Sequence, residues 1–359
     1  MTIFAAIVVV FLVINKPSPP AVPQPIPKQE SSSITTIASN LDIPWDMAFL
    51  PEGEILITER PGRVRLVGKD GTVKPTAILE IKEVKHQGEG GLLGIALHPQ
   101  FTQNKLVYLY YTYRNGFTTL NKVVRYKFGD NKLVFDKTII DNIPGGIYHD
   151  GGRIKFGPDG KLYVTTGDAT IDTLAQDTGS WAGKILRIND DGSLPNDNPF
   201  ANSPIYSYGH RNPQGLSWDT SGRLWETEHG PQGFDEVNLI ESGKNYGWPE
   251  IKGNTKKDGL VTPFISSLQS TWAPSGATIK DNFLYFSGLR SNEIFKLDLG
   301  NGEIKTYFAN QFGRIRTINI GPDGNFYILT NNTDGRGTPK DGDDRLIKID
   351  PAKLDNGGN

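Results

Sequence analysis

His149 and Asp168 stand on either side of one predicted hairpin, which would return the chain and bring an imidazole and a carboxylate to the same end of two neighbouring strands. A carboxylate in that position fixes which ring nitrogen carries the proton, as a general base requires. The same pair would serve equally well as loop caps. Further along, Gly209-His210-Arg211-Asn212-Pro213-Gln214-Gly215 holds an arginine and two amides in a segment pinned by glycine and proline. Fixed donors of this kind suit an oxyanion or a quinone oxygen, or else cap the loops that join repeats. Glu228 to Glu236 offers main-chain oxygens at Gly230 and Pro231 with carboxylates just beyond, the hard ligands that calcium selects, although a solvated acidic turn has the same composition. Finally, Arg314 and Arg316 alternate along a predicted strand, so both guanidiniums project from one face. Two like charges so placed favour an anion between them, a polycarboxylate or a phosphate. No Walker-type loop and no GxGxxG unit between strand and helix is present, which argues against a nucleotide.

The elements that must position these groups are strands. Six times an alternating apolar strand runs into a glycine-containing turn and a second strand, beginning near Trp45, Gly94, His149, Gly215, Gly276 and Ile315. Each unit is followed by another alternating stretch, such as Lys184-Ile185-Leu186-Arg187 or Arg345-Leu346-Ile347-Lys348. Period-two alternation bounded by Pro-Asp-Gly turns is a hairpin signal, and no helical period is sustained long enough to compete. Six repeats of about four strands each predict an all-β, six-bladed β-propeller of four-stranded antiparallel blades. Ser33 to Ala38 is expected to supply the outer strand of the last blade and close the ring.

Residues 31–352 form the expected propeller domain, followed by a short tail, 353–359. Residues 1–30 differ in kind. An unbroken apolar run from Ile3 to Ile14 precedes Lys16 and a proline-rich stretch from Pro17 to Pro27, which reads as a signal or membrane-anchor segment and an extended linker. Twelve apolar residues are few for a membrane span, so export is expected, with the segment either cleaved or kept as an anchor. A net charge of −2 carries no electrostatic footprint for nucleic acid. The absence of cysteine excludes disulfides, thiolate metal sites and cysteine nucleophiles.

Taken together, Gly88-Glu89-Gly90-Gly91-Leu92-Leu93-Gly94 through His98-Pro99, His149 to Asp168, Gly209 to Gly215, Gly230 to Trp248 and Arg314 to Arg316 resemble the soluble pyrroloquinoline quinone (PQQ)-dependent sugar dehydrogenases. That family comprises the glucose/sorbosone dehydrogenases and the shorter aldose sugar dehydrogenases, and the resemblance spans about residues 35 to 350. It implies that His149 takes the proton of an anomeric hydroxyl while hydride passes to the quinone, with Asp168 orienting it. Arg211, Asn212, Gln214, Thr271, Arg314 and Arg316 would contact the cofactor. Gly230 and Pro231 would give main-chain oxygens to a cofactor-binding calcium, and Glu236 and Tyr246 fall where the family holds a further one. There are two departures. Glu89 stands on the substrate side where well-known members have glutamine. Arg290 stands near a cofactor-contacting lysine, and the two cations are not interchangeable.

The expected activity is oxidation of aldoses to aldonolactones. No heme motif is present, so electrons would pass to a separate acceptor, a quinone or a small redox carrier. A calcium-dependent propeller lactonase or esterase, and a non-catalytic surface-binding propeller, are the alternatives. The first would share the calcium and the His-Asp pair but has no use for the arginines.

Overall fold

A computed structural model describes residues 34–355, and the expected N-terminal signal or anchor segment lies outside the described residues. Within them the chain forms six four-stranded antiparallel sheets, five of them meanders of four consecutive strands. The predicted propeller is therefore the observed fold. The innermost strands are Pro44–Phe49, Leu92–Leu97, Ile154–Phe156, Pro213–Trp218, Pro274–Lys280 and Ile315–Ile320. The last sheet is completed from the other end of the chain: Ile34–Ala38 pairs with Leu346–Ile349, setting Ile34 opposite Ile349 and Thr36 opposite Ile347. Closure in this way removes the two sheet edges that an open ring would expose.

The same turn recurs between the first two strands of blades three, four and six. Asp159, Asp219 and Asp323 accept the N–H of Lys161, Ser221 and Asn325 respectively, which lets a side chain stand in for a backbone turn. Each aspartate also receives an aromatic donor from the following strand: Tyr163 at 3.1 Å, Trp225 at 3.0 Å and Tyr327 at 3.0 Å. Blade faces pack apolar side chains against their neighbours, as where Leu93, Tyr110, Ile154, Val164 and Leu186 form one buried cluster between blades two and three. Leu354, from a short helix after the last strand, packs into the cluster around blade six.

Near the axis the inner strands lie so close that a Cβ on Gly215 would strike the Ser275 carbonyl of the next blade. Polar groups there bond across blades. Thr58 Oγ1 donates to Leu93 O at 2.6 Å, Thr227 Oγ1 to Ser275 O at 2.8 Å and Asn331 Nδ2 to Pro44 O at 3.2 Å. These bonds hold the starts of the inner strands, and the loops just before them, in a fixed ring. No helix among the described residues is long and apolar enough to cross a membrane.

Candidate functional site

Where the inner strands begin, the residues singled out in the sequence converge. Glu89, His149, Arg211, Thr271 and Arg314 all precede inner strands, of blades two to six in that order. With Gln214, Gly230, Arg290 and Arg316 they line a cavity of about 460 Å3. Gly230 and Arg211 are shared with a much smaller cleft that also collects Pro231, Glu236 and Tyr246. Asp168 and Asn212 are buried and act on the lining from behind.

His149 Nδ1 lies 2.7 Å from Asp168 Oδ1. The carboxylate can only accept, so Nδ1 carries the proton and Nε2 keeps its lone pair. Asp168 is itself fixed: Oδ1 accepts the Thr170 N–H at 2.8 Å and Oδ2 the indole N–H of Trp248 at 2.9 Å. His149 adopts φ +62°, an unusual conformation outside glycine, and its carbonyl presses against Gly167, where any Cβ would collide with it. Backbone strain of this kind persists only where surrounding bonds determine it. Here the His149 N–H donates to Glu89 Oε2 at 3.1 Å.

Glu89 joins three parts of the site. Oε2 also faces Asn212 Nδ2 at 3.4 Å, while Oε1 accepts from Arg336 Nη1 at 2.8 Å. Burial opposes charge on Glu89, but His229, charged in the acid range where Glu89 titrates, the Arg336 guanidinium and the His149 amide together outweigh it and hold the carboxyl down to about 2. Asn212 Oδ1 meanwhile accepts the Gly151 N–H at 3.0 Å, so this residue braces the histidine loop.

Arg211 is anchored at its main chain, where the N–H donates to Glu228 Oε2 at 2.8 Å. Its guanidinium lies over Trp248 and donates through Nη1 to the carbonyls of His229 and Gly230 at 3.2 and 3.0 Å, whereas buried Nε has no partner. The Gly230 carbonyl offered by the sequence as a metal ligand is thus engaged by an arginine.

Arg314 and Arg316 both line the cavity, as their alternation predicts. The anion expected between them is partly internal. Asp334 Oδ2 accepts from Arg314 Nε and Nη2 at 3.2 and 2.8 Å. Arg316 has no carboxylate within ion-pair distance among the described residues. It donates to Gln214 Oε1 at 2.7 Å and to Asn331 Oδ1 at 3.1 Å, and burial pushes it down to about 9. Arg290 and Arg336 complete a ring of five arginines on one cavity. His229, deep among them, is held neutral by burial, its ring pushed down to about 3, and its Nε2 has no partner.

Beyond Gly230, Glu226, Glu228 and Glu236 are all buried with no lysine or arginine paired to them among the described residues. Their oxygens lie 3.1, 3.2 and 3.4 Å from the single Asn238 Nδ2, which has only two N–H bonds to give. His210 Nδ1 is 3.4 Å from Glu228, and Glu226 Oε1 and Asn238 Oδ1 have no partner. Burial, reinforced by Glu228, pushes Glu226 far up and Glu236 to about 8. His210, Glu226 and Glu228 bring their ligand atoms within 4.8 Å of one another.

Sequence reasoning passed over His229 and Trp248, although both lie within its motifs, because neither changes the local pattern. It also missed Glu226, Asn238 and Arg336. Only the outward alternation of Glu226 and Glu228 along one strand could have hinted at the acid cluster.

The glucose/sorbosone dehydrogenase family profile matches residues 41–343. The aldose sugar dehydrogenase YliI of Escherichia coli is 30% identical, over 89% of this chain and 93% of that protein. Quinoprotein glucose dehydrogenase B of Acinetobacter calcoaceticus is 34% identical over 65% of this chain and 56% of its own length. Among solved structures, the PQQ-bound aldose sugar dehydrogenase of Streptomyces coelicolor superposes with a TM-score of 0.82 at 38% identity, covering 88% of this chain and 97% of that one.

Proposed function

The chain belongs to the glucose/sorbosone dehydrogenase family, and from that premise we propose that it is a PQQ-dependent dehydrogenase that oxidises the anomeric carbon of aldoses to aldonolactones. One observation carries the reading: a histidine-aspartate pair faces a cavity ringed by five arginines, in which Arg316 lacks a carboxylate and Arg211 Nε lacks any partner. Buried guanidiniums left in this state fit a flat polycarboxylate quinone. Arg211, Gln214, Thr271, Arg290, Arg314 and Arg316 would hold it. When bound, the quinone supplies a carbonyl carbon that accepts hydride.

The chain's own residues do the rest. His149 Nε2 takes the proton of the anomeric hydroxyl, and Asp168, which holds Nδ1–H at 2.7 Å, stabilises the imidazolium that results. Trp248 and Thr170 keep Asp168 from turning away. Glu89, charged and on the same side as the histidine loop, accepts hydrogen bonds from sugar hydroxyls. Arg211 offers donors beside the reacting atoms, where negative charge on a ligand oxygen is stabilised.

Calcium fits unevenly. Three buried carboxylates with two orphan acceptors, Glu226 Oε1 and Asn238 Oδ1, suit a divalent cation held by Glu236, with Tyr246 lining the same cleft. At Gly230 and Pro231 the fit is poorer, since Arg211 occupies the Gly230 carbonyl. Electrons leave to a separate quinone or small redox carrier, and the N-terminal segment directs the protein to the outside of the cell.

The test is dye reduction across an aldose panel with residues 30–359 reconstituted with PQQ and calcium, beside His149→Ala. Turnover that requires the quinone and collapses in the variant supports the reading. Quinone binding without oxidation of any aldose would reject the substrate class, and failure to bind quinone would reject the cofactor.

A further inference from the structure

A second cavity, of about 650 Å3, lies apart from the arginine-lined one. The site described above draws on the beginnings of the inner strands. This second cavity draws on their ends: Phe49 in blade one, Ile95 and Leu97 in blade two, Phe156 in blade three, Trp218 in blade four and Ile320 in blade six. Because every inner strand runs the same way through the ring, the two cavities open at opposite mouths of the channel. Trp45 is wedged between them, with the Arg316 guanidinium 5.7 Å from its ring centre and the Arg153 guanidinium 4.2 Å from it.

The strand-end wall residues are apolar and most are only half-buried, uncovered by any part of the described chain, while Ser217, Thr278, Thr317 and Asn319 add polar groups to the lining. Two cations line it, and only one of them has no carboxylate partner: Arg153, although its Nη2 lacks a hydrogen-bond partner, is paired with Asp46. Lys155 Nζ donates to Leu216 O at 3.2 Å and has no carboxylate within ion-pair distance among the described residues. An ammonium has three N–H bonds, so two remain to be given. The charged groups that face it are Asp46 and Arg153. These neutralise each other at 2.6 Å, and Asp46 also accepts the N–H groups of Met47 and Ile95 at 2.9 and 3.3 Å. A half-enclosed, largely apolar bowl with a single cation not already paired has the size and chemistry of a small-ligand site.

We infer that this mouth of the channel binds a small amphipathic monocarboxylate, its apolar body against Phe156, Trp218 and Ile320 and its carboxylate on Lys155. A neutral sugar would leave the Lys155 charge unanswered, and a polyanion would find only one cation not already paired with a carboxylate, so a monocarboxylate with an apolar body fits here better than the substrate or the cofactor of the first site. Burial pushes Lys155 down to about 8, with Asp46 opposing and Arg153 adding to the fall. The amine is therefore charged at neutral pH and loses its charge in mild alkali.

Decanoate, below its micelle concentration, is the probe, followed by tryptophan fluorescence and by calorimetry at pH 7. Saturable binding is expected, with affinity about tenfold lower in Lys155→Met and retained in Lys155→Arg. Decanol, with the same tail and no charge, should bind wild type about as weakly as decanoate binds Lys155→Met. Affinity for decanoate should fall as pH rises through about 8 in wild type and stay level in Lys155→Arg. Absence of saturable binding, or equal affinities of wild type and a folded Lys155→Met, would overturn the inference. If Lys155→Met does not fold, the decanol comparison and the pH series decide.

Discussion

Asp334 neutralises Arg314 through one carboxylate oxygen at 2.8 Å, while Arg316, two residues on and on the same face, ends on the neutral oxygens of Gln214 and Asn331. The two arginines are therefore unequal. Arg316 carries the charge that a ligand must answer, and Arg314 is largely a positioned donor. Replacing Arg316 with methionine should weaken PQQ binding by about ten- to a hundredfold, the usual loss for a charge-assisted hydrogen bond. Arg314→Met should lose less and should lower the melting temperature, because it leaves Asp334 buried and unpaired. Absorbance titration of the quinone into each variant measures the difference, and equal losses would contradict the asymmetry.

Asp168→Asn keeps the size of the side chain but lets an amide face His149 Nδ1. The amide can donate, which favours the wrong tautomer and puts the proton on Nε2. Turnover should fall by about a hundred- to ten-thousandfold with PQQ affinity unchanged, since Asp168 does not line the cavity. Stopped-flow reduction of the bound quinone by sugar separates the two effects.

The barrel of blades was legible because its signals are local. Alternation, and the aspartate turns at Asp159, Asp219 and Asp323, are complete within a few residues, and the closing strand from Ile34 carries the same alternation as its partner. His149, Arg211, Arg314 and Arg316 were legible for a related reason: each sits in or beside a glycine-pinned loop at the head of a strand. What could not be read is long-range. Trp248 reaches Asp168 across 80 residues and Arg336 reaches Glu89 across 247, and neither contact leaves a trace in the spacing around either residue. The internal partner of Arg314 was hidden likewise, because Asp334 comes from a loop with no regular period.

The Glu89–Arg336 pair gives the site a pH dependence with a definite sign. Glu89 is held down to about 2, below the 4.5 of an ordinary glutamate, so its stabilising contribution is fully present above about 4.5 and is lost as pH falls toward 2. The full shift corresponds to at most about 3 kcal/mol. Glu89→Gln should melt below wild type at pH 6 to 7, with the gap closing between pH 4.5 and 2.5. Melting curves over that range test it. The same variant frees Arg336, so its KM across aldoses should change more than its affinity for PQQ.

The acid cluster dictates the last prediction. Without a cation, burial and the neighbouring Glu228 push Glu226 well up and raise Glu236 to about 8, so Glu236 is protonated in the folded chain and charged in the unfolded one at neutral pH. A raised carboxyl contributes stability that is present below about 4.5 and is lost as pH rises through the folded value, so protein stripped with chelator should become less stable from about pH 5 to pH 8. A divalent cation replaces the protons and cancels the mutual repulsion. Calcium should therefore raise the melting temperature little at pH 5 and much more at pH 8, and Glu226→Gln with Glu236→Gln should flatten both the pH dependence and the calcium effect. Melting curves of stripped and calcium-loaded protein at the two pH values provide the check. A calcium effect that is equal at both, or that survives in the double variant, would place the ion elsewhere, with the main-chain oxygens of Gly230 and Pro231 the remaining donors and Arg211 obliged to give up its carbonyl.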